Sequence, residues 1–263
     1  MLRVCLLVVL FSSCVAGKKV NLPERKWTLS GTEFFSRAAA MGWKARDSFA
    51  VKEILSGNVP GFFGEFVPVD LFVLDSNTGK NISATIFVSK DYLSVGTNDD
   101  WARIPLTPMA VKIIADSIGC FLPTRKLVDE IYKSAKVKLA PMPMYAYRDS
   151  TVTMFHHHLI IEGQRKGRSG LIAGIKKDVV MTSGSTMGKR ADRVAIYGWH
   201  KLDGKAIQPL YLGHINWYVD YSHGIRLIWR KMKVEGKWMD YEEVMRDPVL
   251  VRLICDEPVC DFN

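Results

Sequence analysis

The chain has 263 residues, 48% of them hydrophobic, and a formal net charge of +9. That composition supports a sizeable core and excludes a disordered chain. The positive balance favours anionic partners (nucleic acid, acidic polysaccharide, peptidoglycan or a lipid surface), but the basic residues are scattered and form no specific nucleic-acid motif.

Residues 1–17 read as an export signal. Arg3 precedes an apolar run at 4–11 that is too short to span a bilayer, and the small residues Ser12, Ser13, Ala16 and Gly17 follow. Cleavage is expected after Ala16 or Gly17, which gives a secreted or periplasmic protein. A lipoprotein anchored at Cys14 ranks lower, because Phe11 is a poor residue three positions before such a cysteine. No later stretch is long and apolar enough for a transmembrane helix.

Residues 18–148 read as a scaffold of helices and one hairpin. Ser30 and Glu33 form a capping box that opens a helix to about Met41. A second helix is expected from Asp47 to Ser56, before Gly57. Two strands, 66–75 and 83–89, flank the turn at 76–80. Thr107 and Pro108 start a helix that stops at Gly119, with Met109, Ile113 and Ile114 expected inward. Pro123 and Thr124 open the next, with Leu127, Val128 and Ile131 on its core face.

Residues 149–263 read as a β-rich region that carries the candidate site; with the scaffold it is compatible with one continuous domain. A helix from 150 to 166 places His158 and Glu162 on one face, a candidate ligand pair. The segment 163–174 is glycine-rich and basic but lacks the phosphate-loop pattern, so no nucleotide site is expected. Lys176, Lys177 and Asp178 are candidates to add charge around the site, and read first as a solvated turn before a strand at 178–182. Another strand is expected at 193–197. Asp203-Gly204 and Glu235-Gly236 supply tight turns. Asp240 opens a short helix and Pro248 starts the last. Cys255 and Cys260 flank a turn and form a candidate disulfide, with Cys120 an alternative partner for either. The predicted class is α+β, a helical N-terminal half packed on a β-rich C-terminal half.

The charge-changing chemistry is concentrated at 218–227. Asp220, Ser222, His223 and Arg226 sit there, with His200 and His214 upstream. Imidazole exchanges protons near neutral pH, and a carboxylate orients it and raises its basicity. On a straight strand Asp220 and His223 point to opposite faces, so the chain must bend at Ser222 or Gly224 for them to meet. Arg226 is placed to anchor a carboxylate or an oxyanion. Trp199, Trp217, Tyr218 and Tyr221 are candidates to line a peptide or carbohydrate groove, or to be core.

The run Ser222-His223-Gly224-Ile225-Arg226-Leu227 resembles the Ser-His-Gly-Cys-Ile/Val-Arg-Leu/Met signature of YkuD-type L,D-transpeptidases. The resemblance implies an exported enzyme of peptidoglycan cross-linking with a β-rich catalytic domain. It covers about six residues. The nucleophilic Cys is missing, Ile225 follows Gly224 directly, and neither His200 nor His214 precedes a Gly, so the family's chemistry does not carry over. Ser222 is the candidate substitute for the missing nucleophile.

A second reading takes His200, His214, Asp220 and His223 as a zinc site with an open position for water; the first needs no cofactor. The expectation is a secreted hydrolase or transferase acting on an extracellular anionic polymer such as cell-wall peptide or glycan. In it His223 is the base, Asp220 its orienter, Arg226 the anion anchor, and His200 and His214 partners. The alternative is a non-catalytic secreted binding protein with a basic aromatic surface.

Overall fold

A computed structural model describes residues 17–19, 24 and 29–262. The expected export segment, apart from Gly17, lies outside the described residues. The chain is α+β. In order it runs β1 (Lys18–Lys19), α1 (Gly31–Ala38), α2 (Trp43–Leu55), β2 (Glu65–Leu74), β3 (Asn81–Ser89), β4 (Ser94–Gly96) and β5 (Trp101–Arg103). There follow α3 (Pro108–Ile118), β6 (Cys120–Phe121), α4 (Arg125–Ser134), β7 (Val137–Lys138), α5 (Thr151–Arg165), β8 (Ile172–Ala173), β9 (Lys177–Val179) and α6 (Gly184–Met187). The rest is β10 (Ile196–His200), β11 (Ala206–Tyr211), β12 (His223–Gly224), β13 (Ile228–Trp229), β14 (Lys231–Val234), β15 (Lys237–Asp240), α7 (Tyr241–Arg246) and α8 (Val251–Ile254).

Local chemistry sets most helix ends. Ser30 and Glu33 close the capping box of α1. Thr107, Thr124 and Ser150 cap α3, α4 and α5 through their hydroxyls. The expected core face of α3 needs correction. Ile114 is buried, but Met109 and Ile113 are exposed, and Ala110, Val111, Ala115 and Ile118 complete the inward stripe. The Cys255–Cys260 disulfide forms, and Cys120 is a free, buried thiol.

Among the described residues, seven strands form the larger sheet. The long β2–β3 hairpin is its centre, with β13 and β14 both paired to β3. Regions 18–148 and 149–263 therefore share one sheet. A four-stranded sheet runs β11-β10-β9-β12, antiparallel except for the parallel β9–β12 pair. The expected strand at 193–197 is found instead at Ile196–His200, and its pairing with β11 shifts register between Ile196 and Gly198.

The parallel contact positions the site. β12 lies in register with β9, His223 beside Lys177 and Gly224 beside Asp178. At Gly224 a Cβ would fall 2.5 Å from Lys176 Cβ and 2.7 Å from the Tyr92 ring. The residue was expected to ease a bend, but it allows close approach. The bend lies two residues earlier, where the His223 amide donates to the Asp220 carbonyl at 3.1 Å.

Gly224→Ala should therefore destabilise the fold by about 2–3 kcal/mol, through overpacking. Urea unfolding measures this. An unchanged midpoint would mean that Lys176 and Tyr92 can withdraw freely.

Candidate functional site

The turn at 220–223 brings the expected pair together. Asp220 Oδ1 accepts the Ser222 amide at 2.8 Å and its hydroxyl at 2.5 Å, an arrangement that pins the turn from inside. His223 Nε2 then lies 3.9 Å from the same oxygen. Arg148 reaches the other carboxylate oxygen at 3.3 Å. Burial opposes ionisation of Asp220, but His223, the Ser222 bonds and Lys177 outweigh it and hold the carboxyl below its usual range.

His223 is 1% exposed, and neither of its ring nitrogens has a hydrogen-bond partner. Burial pushes its pKa down to about 4 against the pull of Asp220, so the ring is neutral at physiological pH. His214 faces it with ring centres 6.0 Å apart. Tyr218 packs on both imidazoles, at 4.6 Å from His214 and edge-on at 6.1 Å from His223. His214 is half-buried, and burial lowers its pKa too. Lys177, beside His223 on β9, rests its ammonium over the Trp199 ring at 4.9 Å. Burial lowers the pKa of Lys177.

A buried charged layer supports this cluster. Lys176, Lys177 and Asp178 were expected in a solvated turn, but all three are buried, because β9 is flanked by β10 and β12. Lys176 Nζ bonds His157 Nδ1 at 3.0 Å and the Tyr221 carbonyl. Burial, with Arg103 second, drops its pKa to about 7. Asp178 accepts the Tyr92 hydroxyl at 3.1 Å, and burial raises its carboxyl to about 6. Arg103 is clasped by Asp91 through Nε at 2.8 Å and Nη2 at 2.5 Å. The His158–Glu162 pair of α5 does share a face, and Arg103 Nη1 meets both, at 3.2 and 2.8 Å.

Arg226 differs from expectation. Its guanidinium is fully buried, bonds the carbonyls of Ser89 at 2.7 Å and Ile172 at 2.5 Å, and lies over the Tyr92 ring at 4.1 Å. It ties the ends of β3 and β8 together, and both terminal nitrogens are committed to carbonyls instead of an anion. His200 also stands apart. Its Nε2 is 2.8 Å from Asp129, which accepts the Tyr197 hydroxyl as well, and its ring stacks on Tyr132 at 4.5 Å. These groups line a separate cavity of about 420 Å³. Trp199, held at φ +57°, and Gly198, at +105°, turn His200 that way.

The zinc set of His200, His214, Asp220 and His223 is therefore not gathered, and among the described residues no group of three His, Cys, Asp or Glu is placed to hold a metal ion. Ser222 donates to Asp220 and makes no bond to His223, so it is not arranged as an activated nucleophile. Of the expected aromatics, Trp199 and Tyr221 are buried, Tyr218 is part of the imidazole cluster, and Trp217 is exposed and stacked on Trp43 at 6.3 Å.

Arg148 and the supporting Arg103–Asp91 pair were missed in the sequence, and Lys177, a candidate to add charge there, was read first as solvated. The signal for Lys177 was a charged triplet framed by apolar residues at 171–175 and 179–180. No local signal marks Arg148. The chain matches no family model, no curated protein and no solved structure.

Three buried imidazoles set a stability window. Burial lowers His157 to about 2, His158 to about 3 and His223 to about 4, against 6.5 when solvated. The unfolded chain then takes up protons that the folded chain refuses. The contribution of these rings is complete above pH 6.5 and falls as pH drops towards those values, by up to about 1.4 kcal/mol per pH unit for each ring. Asp178, raised from 3.8 to about 6, opposes one of the three over that interval. Urea midpoints should be lower at pH 5 than at pH 7.5; equal midpoints would show that these rings protonate while folded.

Proposed function

We propose that this chain is a secreted hydrolase or transferase acting on an extracellular anionic polymer, with His223 and His214 as its proton-exchanging pair. The observation that carries this reading is a neutral, buried imidazole with two unpaired nitrogens, set beside an ionised carboxylate and facing a second, more exposed imidazole. Buried polar groups without partners are uncommon and call for an explanation. Proton transfer supplies one, since a base needs free lone pairs.

In this reading substrate entry first uncovers His223, which is 1% exposed, and His223 then takes the proton from the attacking water or hydroxyl. The oxygen forms its bond to the electrophilic centre, the bond to the leaving oxygen or nitrogen breaks, and His214 delivers a proton to the leaving group. Asp220 stabilises the His223 imidazolium so formed. Arg148 and Lys177 are the cations near an incoming anion, the role that the sequence reading gave to Arg226. Thiol chemistry of the transpeptidase kind lacks support here. Burial raises the Cys120 thiol to about 12, and Cys255 and Cys260 are joined.

A second reading, a non-catalytic binding protein, is favoured by the exposed rings beside the cluster: Tyr145 at 89%, Tyr147 at 82%, and the Trp43–Trp217 stack.

Release of fragments from a panel of anionic polymers separates the two. For an enzyme, His223→Asn and His214→Ala should each lower kcat/KM about 100- to 10,000-fold, while His200→Gln, at a folded-state midpoint equal to wild type, retains activity. The acid limb of kcat/KM should rise through about pH 4, where His223 loses its proton. Binding without turnover by the wild-type chain would favour the second reading.

A further inference from the structure

We propose that the basic, aromatic face leading from Arg190 and Arg193 past Tyr211 to His214 and Arg148 is a track for single-stranded nucleic acid. The track presents a backbone phosphodiester to the two imidazoles. This inference rests on the hydrolase or transferase reading and names its polymer.

A shallow groove of about 470 Å³ is lined by Arg190, Arg193, Tyr211 and Gly213, with Leu210 and Leu212 as its apolar floor. Its end reaches the candidate site directly. Gly213 precedes His214, and the Tyr211 ring meets the His214 ring edge-on at 5.1 Å. Both arginines are held by backbone carbonyls. Arg190 bonds Thr186 at 2.7 Å and Met187 at 3.2 Å, and Arg193 bonds Gly213 at 3.1 Å. Each keeps guanidinium N–H groups for a phosphate. Asp192 beside Arg193 and Asp149 near Tyr218 are carboxylates on the same face.

Beyond the imidazoles the pattern of cation and ring continues. The Met144 amide donates to the Tyr221 hydroxyl at 2.7 Å and the Tyr221 amide to the Arg148 carbonyl at 2.9 Å. These two bonds dock the loop carrying Tyr145, Tyr147 and Arg148 against the Asp220 turn. Its two exposed tyrosines and Trp217 offer flat faces, with Arg148 beside them at the Asp220 turn. Interleaved cations and stacking faces are how a groove follows a single strand, phosphate by phosphate and base by base. Rings stack on unpaired bases only, which selects against a duplex.

The chemistry of the site discriminates among anionic polymers. Glycoside hydrolysis commonly uses two carboxyl groups about 5–9.5 Å apart. Here Asp220 is committed to Ser222 and Arg148, and imidazoles occupy the acid–base positions. Peptide transfer without metal calls for an activated nucleophile, and the Ser222 hydroxyl is committed to Asp220. A phosphodiester needs neither, only a base for the attacking oxygen, an acid for the leaving one, and cations for the charge between them.

The test uses the mature chain and a fluorescein-labelled twelve-residue oligothymidylate, followed by anisotropy and by gel. With three phosphate contacts, from Arg148, Arg190 and Arg193, affinity should fall roughly 20-fold between 50 and 200 mM salt. Arg190→Glu with Arg193→Glu should abolish most of that dependence, and Arg190→Lys with Arg193→Lys should restore it. The wild-type chain should cut the strand and His214→Ala should bind it uncut. Binding that ignores salt and charge reversal overturns the track. Salt-dependent binding with no His214-dependent cleavage overturns presentation to the imidazoles. Tighter binding and His214-dependent cleavage of an acidic polysaccharide overturn the nucleic-acid assignment and leave the hydrolase reading standing; loss of neither substrate's turnover in His214→Ala removes that reading as well.

Discussion

The fold depends on burying a row of ionisable side chains at the centre of the smaller sheet. Lys176, Lys177 and Asp178 lie on or next to β9, and the parallel contact with β12 sets His223 and Gly224 against them. Removing a charge from water costs several kcal/mol, which only close partners offset. Most of these groups find one. Asp91 and Glu162 balance Arg103, the Tyr92 hydroxyl reaches Asp178, carbonyls of Ser89 and Ile172 receive Arg226, and His157 with the Tyr221 carbonyl receives Lys176. These groups come from β3, β5, β8, α5 and the loop after β3. The network thus joins the two sheets and α5 to one another by bonds that only one arrangement satisfies. A layer of this kind specifies geometry more than it adds stability, since well-packed apolar residues would fill the same volume at lower cost.

That geometry is what the candidate site inherits. His223 sits in a turn whose shape is fixed by Asp220 from within, and the strand that carries it cannot shift, because Gly224 leaves no clearance above Lys176 and Tyr92. Sites held on strands and backed by bonded neighbours keep their alignment better than sites on free loops. The groups nearest solvent, His214, Tyr218 and Arg148, belong to irregular segments and supply the adaptable side. A rigid base below adaptable contacts is a common division of labour in binding clefts.

How much of this was legible in the sequence follows from distance along the chain. Caps and turns were readable because their chemistry is local: Ser30 bonds three residues on, and Glu235-Gly236 closes its own hairpin. The Asp220–His223 pair was readable for the same reason, since three residues and a turn suffice to join them. The charged triplet at 176–178 was misread because its partners lie tens of residues away, Tyr92 86 residues from Asp178 and His157 19 from Lys176. Without those partners, two lysines and an aspartate look like solvated surface. Arg226 was misassigned by the opposite error. Proximity in sequence to Asp220 and His223 suggested a shared cleft, but two backbone carbonyls and the Tyr92 ring claim it. His200 was grouped with His214 as one of few histidines, yet the twist at Gly198 and Trp199 delivers it to Asp129 on α4.

The unpaired nitrogens of His223 carry the strongest implication for chemistry. Leaving one buried polar group without a partner costs about 1–3 kcal/mol. Other members of the layer, including His157 and Arg226, leave one nitrogen unpaired but bond through another, whereas both ring nitrogens of His223 are unpaired; Ser222, one residue away, has both its amide and its hydroxyl bonded. A hydroxyl or amide on a neighbouring side chain would satisfy His223 with a single substitution. Pairing it that way would fix a tautomer and occupy the lone pair that a base requires. The depressed pKa keeps the ring neutral and its lone pair open at physiological pH, although it also makes the ring a weaker base. Asp220, ionised and 3.9 Å away, is close enough to stabilise the imidazolium once formed and too far to bond the neutral ring. A local loss of stability next to a group that favours the charged form is the pattern expected where function, and not packing, decides the arrangement.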